Sequence, residues 1–125
     1  MPVRPFVMWP DKRLRMPAAK VVEITDETRA IWADMVETMD AMPGVGLAAP
    51  QIGVMQALAV VDASDARGKA VKLANPRVLH ASVEFRPHEE ASPNLPGLSA
   101  LIARPRAVTV AYLDEEGAEV EKDFV

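Results

Sequence analysis

Cysteine is absent from these 125 residues, and histidine occurs only at His80 and His88. The first absence excludes a disulfide framework and a thiolate metal site, and it suits a reducing compartment. No apolar run approaches the length that crosses a bilayer. The opening Met1-Pro2-Val3-Arg4-Pro5 lacks the apolar core of a signal peptide, so a cytoplasmic protein is expected. A basic excess is missing as well. The net charge is −4, and in the second half only Arg104 and Arg106 stand close together, which argues against a nucleic-acid partner. There is no internal repeat and no low-complexity linker. What remains is an ordinary globular composition, 50% hydrophobic and 26% charged, long enough for one domain with a sizeable core.

Pro2, Pro5, Pro10 and Pro17 predict an extended, irregular first segment, because each fixes φ and restricts the residue before it. Thr25-Asp26 are helix-cap residues, and Glu27 puts negative charge in a first turn. Ile31, Met35, Met39 and Met42 follow at helical spacing beside Trp32, with Asp34, Glu37 and Asp40 between them. One face is therefore apolar and the other acidic, and Pro43-Gly44 ends the helix. A methionine stripe can also line an adaptable binding surface, but this spacing fits core packing better.

Val54–Val61 reads as a mostly buried strand and Lys69–Leu73 as a second, broken by Asn75-Pro76. Val78–Arg86 gives a third, and the proline-rich stretch from Pro87 to Pro105 shows no period. Ala107–Leu113 is a strong strand, Asp114-Glu115-Glu116-Gly117 a hairpin turn, and Ala118–Val125 the return strand. One helix followed by hairpin-connected strands, with no crossover helices, predicts an α+β fold with antiparallel sheets.

Between helix and first strand lies Gly44-Val45-Gly46-Leu47-Ala48-Ala49-Pro50-Gln51-Ile52-Gly53. Its glycines let a ligand approach the backbone closely, and Gln51 offers two donors and an acceptor in an apolar setting. Gly44-x-Gly46-x-x-Ala49 also matches a dinucleotide-binding fingerprint. That fingerprint needs a strand before it and a helix after it, and the order here is the reverse.

The order of helix, GVGLAAPQIG and buried strand resembles peptide deformylase, the metal hydrolase that removes the formyl group from nascent bacterial proteins. Trp9-Pro10-Asp11-Lys12-Arg13-Leu14, Asn75-Pro76 and Val108–Gly117 carry the similarity further. The resemblance implies an N-terminal helix packed on antiparallel β-sheets. It implies that Gln51 holds the position of the donor to the formyl oxygen as that becomes an oxyanion. It also implies that Val45, Gly46 and Leu47 border a substrate peptide bound in strand-like form, backbone to backbone.

The family's second motif, Glu-Gly-Cys-Leu-Ser followed by a variable residue and proline, aligns with Glu90-Ala91-Ser92-Pro93-Asn94-Leu95-Pro96. Ser92 replaces the metal-binding cysteine, and a neutral hydroxyl is a poor divalent-metal ligand beside a thiolate. Pro93 replaces a leucine whose N–H helps form the oxyanion hole, and proline has none. The third motif, His-Glu-x-x-His on a C-terminal helix, does not occur in the sequence. His88-Glu89-Glu90 is a weak substitute, since neighbouring residues in a strand point apart and Pro87 favours a solvated acidic turn.

The resulting expectation is one incomplete deformylase-like domain over residues 1–125. It lacks the metal-binding helix, holds no metal although the family uses iron or zinc, and is impaired or inactive by itself. A peptide-binding module and a split enzyme are the alternatives. The uncovered sheet would call for a partner chain or self-association, with N-terminal (formyl-)methionine peptides as ligands and neither nucleic acid nor membrane as a partner.

Overall fold

The computed structural model describes residues 3–62, 64, 68–92, 94, 99–105 and 107–124, the side chains at 88, 89, 99 and 100 excepted. Pro93 and the run 95–98 lie outside the described residues. The N-terminal segment is irregular, as its prolines predict, apart from one 3-10 turn at Lys12–Arg15. Helix α1 spans Asp26–Ala41. Its start is fixed reciprocally: the Thr28 N–H donates to Thr25 Oγ1 at 3.2 Å, and the Thr25 N–H donates to Thr28 Oγ1 at 3.1 Å. Asp26 and Glu27 place negative charge at the positive end of the helix dipole. Ile31, Trp32, Met35 and Met39 are buried, so the methionine stripe is core. Burial of each such side chain is worth roughly 1.5–3 kcal/mol. The Trp32 indole N–H also finds a partner, the Leu73 carbonyl at 3.2 Å.

Seven strands follow: β1 (Gly46–Ala48), β2 (Leu58–Val61), β3 (Val71–Ala81), β4 (Phe85–Ala91), β5 (Ser99–Pro105), β6 (Val108–Leu113) and β7 (Glu119–Phe124). Five form one antiparallel sheet in the order β1-β2-β3-β6-β7, while β4 and β5 form a separate two-stranded ribbon. This is the expected α+β architecture with antiparallel sheets. Leu58 and Val60 of β2 join Ala74 in the core beneath α1. Ala59 and Val61 alternate to the opposite face, where they pack with Leu73, Val110 and Tyr112. That second face holds an open apolar groove of about 420 Å³ lined in part by Val61, Leu73, Val108, Val110 and Phe124.

Three expectations are corrected. The strand foreseen over Val54–Val61 reduces to Leu58–Val61. Gly53 adopts φ 81°, and the chain beyond it instead bridges Ala19, which donates to the Met55 carbonyl and accepts from the Ala57 N–H. Asn75-Pro76 does not break a strand, because β3 runs through both. The β3–β6 register shifts between Ala74 and Arg77, which absorbs the N–H that proline lacks. Asn75, at φ 50°, exchanges side-chain hydrogen bonds of 2.8 and 2.7 Å with the Val21 backbone. Finally, the stretch without period contains β4 and β5, and residues 88–90 lie on a strand and not in an acidic turn. Pro87 fits there because a two-stranded ribbon leaves one edge of each strand unpaired. The turn at Asp114–Gly117 is as expected: the Asp114 carboxylate accepts from the Glu116 and Ala118 N–H groups, with Gly117 at φ 80°.

Candidate functional site

Strand β1 lies at the sheet edge. The Asp62 N–H donates to the Val45 carbonyl at 2.9 Å, and Gly46, Leu47 and Ala48 pair with Val61, Val60 and Ala59. Antiparallel strands alternate in the direction their backbone groups face. Val45 and Leu47 therefore face β2, while Gly46 and Ala48 turn their N–H and C=O groups to the open side. Leu47 buries its side chain in the core, and Val45 leaves its own 64% exposed. A Cβ on Gly46 would meet only the Val60 carbonyl, at 3.7 Å.

A 3-10 turn, Ala49–Ile52, follows β1 at once and carries Gln51. Gln51 folds back so that its Oε1 accepts the Ala48 N–H at 2.9 Å. Its Nε2 donates to Asn94 Oδ1 at 2.7 Å and reaches Ser92 Oγ at 3.4 Å. Ser92 Oγ in turn donates to Asn94 Oδ1 at 3.0 Å. The Asn94 Nδ2 donates to the backbone carbonyls of Val7 and of Gln51, the latter at 2.9 Å. The Val7 N–H donates to the Gln51 carbonyl at 2.8 Å, and the Trp9 N–H to the Asn94 carbonyl at 2.9 Å. Three segments distant in sequence thus meet on one neutral, hydrogen-bonded cluster.

Of the residues singled out from sequence, Gln51 and Ser92 come together, and Gly46 presents its backbone beside them. Glu90 does not join them: its carboxylate holds Arg104 across the ribbon through two contacts of 2.8 Å. That pairing pushes the Arg104 guanidinium pKa up. Pro93 lies outside the described residues. Asn94 was missed as a site residue. It is only 3% exposed, and the signal for it was an amide two residues after Ser92 in a proline-rich stretch, where such side chains bond the local backbone.

The cluster can donate a hydrogen bond to a ligand oxygen beside an open strand edge. It is poorly made for a cation. Its side chains are two amides and a hydroxyl, none of them charged, and no group of three or more His, Cys, Asp or Glu among the described residues is placed to hold a metal ion. These residues alone do not fit a divalent metal. No helix among the described residues is long and apolar enough to cross a membrane.

The sequence model for polypeptide deformylase matches residues 3–125. A peptide deformylase of Methylocella silvestris is 42% identical, over 98% of this chain and 66% of that one. A peptide deformylase-like protein of Bradyrhizobium diazoefficiens is 38% identical, over 98% of this chain and 72% of its own. The chain thus spans about two thirds of the length of the Methylocella relative. Among solved structures, a class I type b peptide deformylase from Acinetobacter baumannii bound to Met-Ala-Ser superposes with a TM-score of 0.89. It is 27% identical, over 98% of this chain and 83% of that one. These matches overturn the expectation of a chain without a cofactor, because peptide deformylases use a divalent metal. With nearly every residue inside the match, the chain belongs to the peptide deformylase family.

Proposed function

We propose that residues 1–125 form one deformylase-like domain that keeps the peptide-holding part of the family's site and is impaired in hydrolysis when it acts alone. Its ligand is an N-terminal formyl-methionyl peptide of protein biosynthesis, met in the cytoplasm. The observation that carries this reading is the Gln51 amide, held at an open strand edge with its nitrogen toward Ser92. A peptide adding to β1 would exchange backbone hydrogen bonds with Gly46. Its formyl oxygen would then accept the Gln51 N–H that is not committed to Asn94. The Met-Ala-Ser complex of the Acinetobacter protein supports such a ligand for a chain of this fold.

Impairment rests on the sequence of the second motif. Ser92 offers a hydroxyl where the family has a thiolate, and Pro93 has no N–H to give an oxyanion. Loss of one oxyanion donor alone lowers turnover by roughly 10²–10³-fold. A second reading, in which a partner chain or another copy completes the enzyme, is favoured by the open apolar groove on the second sheet face.

The test combines binding with turnover. Met-Ala-Ser titrated into isotope-labelled protein is expected to shift the amides of residues 45–51. Formate release from formyl-Met-Ala-Ser, with iron(II) or zinc supplied, is expected to fall at least about 10²-fold below that of the Methylocella relative. Turnover equal to that relative overturns the impairment, and no shift at millimolar peptide overturns the groove. Turnover per chain that climbs with protein concentration favours the second reading.

A further inference from the structure

Gln51 can act as a donor only if its amide points the right way, and nothing in a free glutamine side chain distinguishes its nitrogen end from its oxygen end except its partners. Here each end has one. The Ala48 N–H requires an oxygen opposite it, which is Oε1 at 2.9 Å. At the other end, the partner is Asn94 Oδ1 at 2.7 Å. The orientation of Asn94 is itself dictated, because its far end meets two backbone carbonyls, those of Val7 and Gln51. An oxygen turned toward those carbonyls would repel both, so the nitrogen lies there and the oxygen must face Gln51.

We infer that Asn94 is a positioning residue: it fixes the Gln51 amide with its nitrogen toward Ser92 and thereby sets the protein's preference for a formylated over a free N-terminus. Two further facts support it. Asn94 is 3% exposed, so water does not compete for these bonds. The Gln51 nitrogen carries two hydrogens. One is taken by Asn94 at 2.7 Å, while the other has only the long 3.4 Å approach to Ser92 Oγ and is the one left for a ligand oxygen. The inference rests on the peptide-binding reading above for its second half only.

The two halves are tested separately. The side-chain amide protons of Gln51 are recorded in the unmodified protein, in Asn94→Ala and in Asn94→Leu. Both variants remove the acceptor for Gln51. Slow solvent exchange and two widely separated proton shifts are expected for the unmodified protein, and collapse to free-amide values for both variants. Gln51 protons that already behave as a free amide in the unmodified protein overturn the inference, whether or not the variants fold. So do protons unchanged by Asn94→Leu.

Formyl-Met-Ala-Ser and Met-Ala-Ser are then titrated by the backbone shifts of residues 45–48. Asn94→Leu is expected to weaken the formylated peptide about tenfold while leaving the free one within twofold. Equal weakening of both marks a purely structural residue and overturns the specificity claim. Failure of either peptide to bind the unmodified protein overturns the ligand reading, whereas the amide-proton result still decides the positioning role.

Discussion

Asp11 stands at the mouth of the first 3-10 turn, where its carboxylate accepts from the Arg13 guanidinium at 2.8 Å and from the Arg13 N–H at 2.9 Å. The guanidinium and then the N–H are the main causes holding its pKa down at about 2. A carboxyl whose folded pKa lies below its unfolded value stabilises the fold above the ordinary carboxylate range, and that contribution is lost as pH falls toward 2. The pair is solvent-exposed, so the gain is small. A carbon-detected titration of Asp11 is expected to give a midpoint near 2, rising in Arg13→Leu, which removes the guanidinium and keeps the backbone N–H; an unmoved midpoint in that variant would refute the assignment. At this scale the site was only half legible. Gln51 stands out because an amide in an apolar, glycine-rich run has few reasons to be there. Asn94 does not, because its importance lies in the carbonyls of Val7 and Gln51, which are near it in space and far from it in sequence.

Helix α1 was readable end to end, since its cap, its acidic first turn and its apolar stripe all act within a few residues of one another. Thr25→Ala removes the oxygen that accepts the Thr28 N–H, and it should lower the stability of the fold by about 1 kcal/mol, measured as a shift of the denaturant midpoint. Thr25→Asn should retain most of that stability. Strands were legible only where packing leaves an apolar run. β6, buried at Val110, Ala111 and Tyr112, was foreseen almost to the residue, but β4 and β5 pair only with each other and leave no such run to read. The continuity of β3 through Pro76 depends on a register shift against β6, a property of the pair that neither strand reveals alone. The same holds for Gly46: its glycine is visible in sequence, while the direction of its backbone groups comes from the pairing of β1 with β2.

The five-stranded sheet buries one face under α1 and leaves the other partly open, with Leu73, Val110 and Tyr112 covered and Val61, Val108 and Phe124 only half so. Open apolar grooves of this size take up hydrophobic dyes. A fluorescent anilinonaphthalene dye is expected to bind the folded protein at neutral pH and to shift the amides of Ala59, Val61 and Val108 without touching those of α1. Dye that binds only after denaturant is added would show that the face is covered in solution. The cluster around Gln51 has a different whole-chain consequence. Its partners are 43 residues apart along the chain, so the amide acquires its direction only after a long loop has closed. Forming such contacts is slow compared with forming a helix. Helix α1 can therefore form before the Gln51 amide is aimed, and during synthesis that amide stays unaimed until the segment bearing Asn94 has been made and has docked.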